Sequence, residues 1–192
     1  MHTIFREYFL KFMPLIEDEL DAIATTVTEQ KFEKGTILVK EGTVSVDVFF
    51  VLEGVLRAYV LQDGIEKTTN FYTEGNWVIS IYGSDEAGPA PHNVEAATDV
   101  LVTVGNRLKE DELFKQFPRL ETVSRRVMQE FLTEYHSSSV SYMNSTPEER
   151  YLKLISNRPE LFQSIPQYQI ASYIGVRPES LSRIRRRLAR GK

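Results

Sequence analysis

The strongest chemical signal in the chain is a cluster of arginines close to its end. From Arg177 to Lys192 there are seven basic residues, Arg177, Arg183, Arg185, Arg186, Arg187, Arg190 and Lys192, against the single acid Glu179, a local charge of +6. The 192-residue chain carries −4 overall, so the first 176 residues hold −10. A basic end on an acidic body suits a localised polyanion surface. A solvated basic tail has the same composition, and charge alone does not separate the two.

Apolar spacing adds the missing information. Ile170, Ala171 and Ile174 fall on one face of a short helix, Gly175 closes it, and Val176 plugs the turn. Pro178 and Glu179 open a second helix whose buried face is Leu181, Ile184 and Leu188. The small Ala171 lets the second helix cross closely. This is the apolar skeleton of a helix-turn-helix. At 100° per residue, Glu179, Arg183, Arg186 and Arg190 lie opposite the apolar face, with Ser182 beside them. Arginine forks onto guanine, glutamate accepts from cytosine, and serines and backbone amides hold phosphates. Skeleton and charge together point to DNA; the rival reading is a peripheral helix that binds RNA or an acidic protein.

Other chemistries are poorly supplied. The chain has no cysteine, which excludes disulfides, thiolate nucleophiles and cysteine-ligated metals. Its three histidines, His2, His92 and His136, are far apart and form no ligand-spaced pair. A metal-dependent enzyme on a β-barrel would need two or three histidines on adjacent strands, and residues 30 to 105 contain only His92. No enzyme activity, metal or cofactor is expected. Hydrophobic residues make up 42% and charged residues 26%, as in a soluble globular protein. No apolar run approaches the ~20 residues of a membrane span. The N-terminus, interrupted by Arg6, Glu7 and Lys11, lacks the layout of a secretory signal. A cytoplasmic protein without membrane contact is expected.

The elements that must position the basic helix fall into three regions. Up to about residue 105, an amphipathic helical stretch (Leu15, Leu20, Ile23 and Val27 packing; Glu17, Asp18, Glu19 and Asp21 facing water) precedes a series of short β-type runs. These are TILVK, VFFVLEG, LRAYVLQ, KTTNFY, NWVISIY, NVEAAT and VLVTV, with turn signals every 7 to 12 residues, the pattern of an all-β sandwich or roll. Asp63-Gly64 marks a hairpin, and GSDEAGPAPHN reads as a loop. Asn106 to Phe117 reads as a short helix, and Pro118 suits the first turn of a long one ending near Tyr142. Its stripe of Leu120, Val123, Val127 and Phe131, widened by Met128, Leu132 and Tyr135, needs a partner surface. A second copy in a symmetric dimer supplies one; packing on the chain's own β-region is the alternative. Ser145-Thr146-Pro147-Glu148-Glu149 then starts a helix carrying Tyr151, Leu152, Leu154 and Ile155, which ends near Asn157-Arg158-Pro159.

These residues carry a resemblance. The stretch FEKGTILVKEGTVSVDVFFVLEGVLRAYVLQDGIEKTTNFYTEGNWV resembles the cyclic-nucleotide-binding domain of the Crp/Fnr transcription regulators, through its turns at Lys34-Gly35, Glu41-Gly42 and Leu52-Glu53-Gly54 and the EGN turn at Gly75. Val94-Glu95-Ala96 matches the strand after the ligand pocket, and QIASYIGVRPESLSRIRRRL is similar to the family's helix-turn-helix. The resemblance implies an α+β chain of bacterial type: a double-stranded β-roll sensor at 1–117, a dimerisation helix at 118–144, and a helix-turn-helix domain at 145–192. With Lys192 directly after the recognition helix, no β-hairpin wing is expected. Glu179 and Arg183 match the family's base-reading pair four residues apart. Ser180, Ser182, Arg177, Arg186, Arg187 and Arg190 would serve the backbone. Pro178 departs from the arginine or serine common after the turn.

The pocket also departs. Cyclic-nucleotide binders of this family carry Gly-Glu after the turn and Arg-Ser/Thr-Ala before the V-E-A strand. Here Ile79-Ser80 and Ala90-Pro91-His92 occupy those places. A buried phosphate without its arginine is an uncompensated anion, so cyclic AMP is not the expected ligand. Trp77, Ser80, Tyr82, His92 and Asn93 are the candidates to line a modified pocket for an unidentified small effector, with core packing the other reading of Trp77 and Tyr82. The expected function is a homodimeric regulator binding double-stranded DNA. The alternative is a sensory or scaffold module whose roll binds a partner and which recognises no operator.

Overall fold

The structure is a computed structural model that describes residues 1–79, 88–106 and 109–190. Two short helices, α1 (Thr3–Leu10) and α2 (Glu17–Thr25), lead into eight strands: β1 (Val27–Phe32), β2 (Ile37–Val39), β3 (Asp47–Glu53), β4 (Leu56–Gln62), β5 (Ile65–Tyr72), β6 (Trp77–Ile79), β7 (Asn93–Ala96) and β8 (Val100–Asn106). They form two four-stranded antiparallel sheets, ordered β1-β8-β3-β6 and β2-β7-β4-β5. The expected roll is therefore present. Asp63-Gly64 is the two-residue turn between β4 and β5, with Gln62 paired to Ile65.

Strand alternation sorts the side chains into layers. Phe49, Val51, Leu56, Ala58, Val78, Val94 and Val102 point between the sheets and fill the roll with an apolar core. Their neighbours point outward on both sides, and both outer faces are covered. On the first sheet, Phe50 and Leu52 meet Phe5, Tyr8 and Phe9 of α1. On the second, Val55, Phe71 and Ala97 meet the C-terminal helices.

Those helices are α3 (Glu110–Gln116), α4 (Pro118–Met143), α5 (Pro147–Asn157), α6 (Leu161–Ser164), α7 (Gln167–Tyr173) and α8 (Pro178–Arg190). Pro118 opens the 26-residue α4. Thr146 caps α5, accepting from the Glu149 amide while the Glu149 carboxylate accepts from the Thr146 amide. The apolar stripe of α4 divides. Leu120, Val123 and Val127 are buried against the first sheet and α1. Leu132, Tyr135, Val140 and Met143 are exposed, Met143 by 78%. Packing on the chain's own β-region thus accounts for the first half of the helix, and the second half lies uncovered within the chain.

Several local expectations are corrected. Val27 belongs to β1 rather than to the first helical stretch, and β1 itself escaped the reading because VTEQKF is polar and mostly exposed at a sheet edge. Glu19 does not face water: it is 3% exposed, caps the Ile16 amide and pairs with Arg119 on α4. Asn106 ends β8 instead of starting a helix. Leu152 and Ile155 of α5 are exposed, while Tyr151 and Leu154 pack. Of the loop predicted over GSDEAGPAPHN, residues 83–87 lie outside the described residues, 88–92 form no helix or strand, and Asn93 begins β7.

The C-terminal helices are not independent of the roll. Phe71 of β5 is fully buried in one cluster with Tyr151, Leu161, Ile170, Ile174 and Leu181, and stacks edge-on against Tyr173 at 5.2 Å. Phe71→Ala should lower the unfolding free energy by about 3–5 kcal/mol and should loosen α5 to α8 together with β5. Hydrogen exchange read helix by helix checks this; protection lost in β5 alone would show that the helices hold themselves.

Candidate nucleic-acid interface and sensor sites

The α7–turn–α8 unit is built from the apolar residues the sequence sets aside for it. Ile170, Ala171, Ile174, Leu181 and Ile184 are buried, with Val176 and Leu188 packed against them. The turn is held by the Val176 amide donating to the Ala171 carbonyl at 2.9 Å and the Gly175 amide to Ser172 at 3.0 Å. Gly175 has φ +77°, and a Cβ there would lie 2.5 Å from the Tyr142 hydroxyl, so both backbone and space demand glycine.

The other face of α8 is open. Arg177, Glu179, Ser182, Arg183, Arg186 and Arg187 are exposed and Ser180 is half-buried; the Arg190 side chain lies outside the described set. Of the face set out by the sequence, Glu179, Arg183 and Arg186 are exposed together. Arg187 differs from its neighbours: it forms an ion pair with Glu148 at the start of α5.

Arg150, which the sequence reading missed, ties this unit to α4. Its Nε donates to the Ile174 carbonyl (2.9 Å), its Nη1 donates to the carbonyls of Tyr142 and Ser145 (3.0 Å each), and its guanidinium stacks 4.2 Å from the Tyr142 ring centre. One side chain thus pins the end of α4, the link to α5 and the end of α7. A second attachment comes from the roll. The Thr68 amide of β5 donates to Ser172 Oγ at 3.0 Å, the Ser172 hydroxyl donates to the Glu66 carbonyl at 3.3 Å, and Arg158 donates to the Phe71 carbonyl at 2.7 Å. These bonds occupy the free edge of the β2-β7-β4-β5 sheet.

The three described candidate pocket residues, Trp77, His92 and Asn93, do not converge. Ser80 and Tyr82 lie outside the described residues. Trp77 pairs with Phe50 and faces away from the inter-sheet core, inside an aromatic cluster with Phe5, Tyr8 and Phe9. Asn93 pairs with Tyr59 on the outer face of the other sheet, where its Oδ1 accepts from the Glu41 amide (3.0 Å) and its amide donates to the Glu41 carboxylate (3.3 Å). His92 is half-buried, and burial moves its pKa below the ordinary histidine value against the pull of Glu41. It is therefore a neutral imidazole at neutral pH, poorly suited to replace a phosphate-binding arginine.

A buried charge cluster lies beside Asn93. Arg57 of β4 is 1% exposed, stacks 4.4 Å from the Tyr59 ring centre, ion-pairs with Glu66 and lies 2.8 Å from Glu95. Its register partners are Phe71 and Glu95, which puts it on the face covered by the C-terminal helices. Burial raises the pKa of Glu95, Arg57 opposes the shift, and Glu66 adds to it. No sequence pattern announced this cluster, because its members join only when strand register is known. Among the described residues, no group of three acids or histidines is placed to hold a metal ion. No described helix is long and apolar enough to cross a membrane.

Set beside known proteins, residues 29–117 match the family model of the cyclic nucleotide-binding domain. The chain is 24% identical over 179 residues to the transcriptional activator protein FnrA of Stutzerimonas stutzeri, covering 86% of this chain and 72% of that protein. Its fold is shared with FixK2 from Bradyrhizobium japonicum (TM-score 0.66, 19% identity, 86% of this chain and 85% of that one). It is shared equally with the c-di-GMP responsive global regulator CLP from Xanthomonas campestris (TM-score 0.68, 14% identity, 92% and 93%). A CooA mutant from Carboxydothermus hydrogenoformans superposes at TM-score 0.64, with 15% identity over 88% of this chain and 78% of that one. The antiparallel roll with its flanking helices is the fold of these regulators, and the family resemblance read from the glycine turns is supported over the roll.

Arg57 offers a direct test of the cluster. In the folded state Glu95 holds its proton more tightly than in the unfolded chain, so protonation favours the fold and stability falls as pH rises. Arg57→Ala removes the charge that opposes this shift. The variant should lose about 3 kcal/mol at pH 7 and regain part of it as the pH is lowered toward 5, read as the urea midpoint. An equal loss at both pH values would show that Glu95 does not carry the effect.

Proposed function

We propose that this chain is a transcription regulator of the Crp/Fnr type, a homodimer that binds double-stranded DNA through α8, and not an enzyme. The carrying observation is the two-sided construction of α8: one face is locked in the core by Leu181 and Ile184, and the other presents Arg183, Arg186 and Arg187 to solvent. A helix held this way can enter a major groove without rearranging. Glu179 and Arg183 read base edges. Arg177, Ser180, Ser182, Arg186, Arg187 and Arg190 serve phosphates. Arg187 must first leave Glu148, an ion pair exposed on the arginine side that opens at little cost.

The dimer follows from the uncovered half of α4. Met128, Leu132, Tyr135, Ser139 and Tyr142 recur at steps of 4, 3, 4 and 3 along it, the spacing of a two-stranded seam. Two copies paired along it place the recognition helices on one DNA face about 34 Å apart, as a palindrome requires. Leu132→Arg should convert the dimer to a monomer in sedimentation while leaving the helix content unchanged; a protein already monomeric would remove this part of the reading.

The sensor reading excludes cyclic AMP as effector. Position 92 offers a neutral imidazole, and the buried Arg57 is already matched by two carboxylates on the outer face of its sheet. DNA binding measured at two salt concentrations tests the whole. Arg183→Ala should cost about 1–3 kcal/mol on the preferred sequence and little elsewhere, and Arg187→Ala should weaken all sequences alike and lower the salt slope by about 1. Cyclic AMP should change neither. The absence of sequence-selective, salt-sensitive binding would favour a module that binds a protein partner.

A further inference from the structure

A second cavity lies outside the roll, on the outer face of the β1-β8-β3-β6 sheet. It measures about 340 Å³ and is enclosed by that sheet, α1, α2, α3 and the first half of α4. Phe5, Phe9, Trp77, Phe114, Val123 and Val127 furnish its apolar walls. Glu121 and Arg125 line its exposed rim, and the half-buried Glu110 adds a second carboxylate to the lining. It is distinct from the inter-sheet core, whose side chains fill their own space.

The volume is at the lower end of the ~300–1,000 Å³ range of small-molecule pockets, and an apolar wall with few polar groups is their usual construction. Such walls reject a charged ligand, because an anion placed among aromatic rings loses its hydration without gaining donors. The rim reinforces this: Arg125 is accompanied by the carboxylate of Glu121, so no net positive field draws an acid inward. Thr26, Asn106 and Ser124 also bring polar side chains to the lining. One buried donor there, the Trp77 indole N–H, makes no hydrogen bond of good geometry, with the Tyr8 hydroxyl nearby.

The geometry points to this cavity as a binding site for a neutral, mainly apolar small molecule, an aromatic or medium-chain compound with one hydrogen-bonding group. Seven α4 residues between Leu120 and Met128 take part in the lining, and Met128 also begins the exposed seam. Occupancy therefore bears on the angle at which α4 leaves the roll. Binding itself does not rest on the regulator reading; only its effect on DNA does.

Trp77 is the single tryptophan of the chain, so energy transfer from it to bound N-phenyl-1-naphthylamine reports this site in the full-length protein. The expected result is saturable transfer at one probe per chain, displaced by 1-decanol and unaffected by cyclic AMP. Val48→Phe and Ser124→Met, which fill the cavity from the sheet side and the helix side, should each weaken the probe by about tenfold or more with unchanged circular dichroism. If one variant misfolds, the other carries the test. No saturable transfer, equal affinity in the folded variants, or displacement by cyclic AMP would overturn the site. DNA affinity with and without the probe is a separate measurement: its failure to change would count against the coupling through α4 and leave the binding site standing.

Discussion

The burial of the first three turns of α4 against the roll is the constraint on which the remaining architecture depends. A helix of 26 residues is about 39 Å long, far more than one face of this roll can cover. Leu120, Val123 and Val127 fix its direction, with Arg119 bonded to Glu19 and the Pro14 carbonyl, Arg126 to the Phe12 carbonyl, and Glu130 to the Tyr8 hydroxyl. Because the helix is stiff, the direction chosen at Leu120 determines where Met143 ends and where the arginine-bearing helix begins. A helix anchored only at its start would amplify small errors at its far end. That is the physical reason for the attachments made there.

Two such attachments exist, and they differ in kind. Arg150 joins the end of α4 and its link to α5 to the end of α7 with three hydrogen bonds and a stacked ring. Backbone carbonyls at helix ends have no intrahelical donor, so this guanidinium satisfies acceptors that would otherwise turn to water. The β5 contact instead joins α7 to the sensor through an apolar patch and a serine bridge. The position of α8 is thus set by both the long helix and the sheet. A change at either one alone is resisted by the other, which makes the unit a structure with discrete arrangements rather than a continuously pivoting arm.

The sequence revealed what depends on periodicity and concealed what depends on register. The turns at Gly35, Gly42 and Gly54, the Asp63-Gly64 hairpin, the capped start at Thr146 and the skeleton from Ile170 to Leu188 were legible because each is defined by neighbours a few residues apart. β1 was not, since a strand exposed along most of its length lacks the apolar alternation that marks the others. The long helix was legible in extent but not in allegiance: its apolar stripe does not state which half meets the roll. Arg57 illustrates the limit most plainly. Between Leu56 and Ala58 it reads as a solvent-facing strand residue, and only the pairing of β4 with β5 and β7 brings Glu66 and Glu95 to it. For Trp77 the core-packing reading holds, and what the sequence did not show was the face: strand parity turns it outward, among the aromatic side chains of α1.

The distribution of charge gives these placements a common logic. Buried charges are matched by opposite ones: Glu66 and Glu95 flank the buried Arg57, and the exposed Arg119 reaches the buried Glu19. A buried guanidinium without such a partner costs several kcal/mol. On α8 the pattern reverses. Arg183 and Arg186 are exposed, so their charge is carried at little desolvation cost and remains available to an external anion. Among the described arginines of α8 only Arg187 forms an ion pair, and its partner Glu148 stands at the N-terminus of α5, where the helix dipole already favours a carboxylate. If Arg187 moves to a phosphate, Glu148 keeps that stabilisation and is not left as an orphaned charge. The pair can therefore open without penalty to α5, which makes Arg187 the arginine best suited to change partners when the helix meets a polyanion.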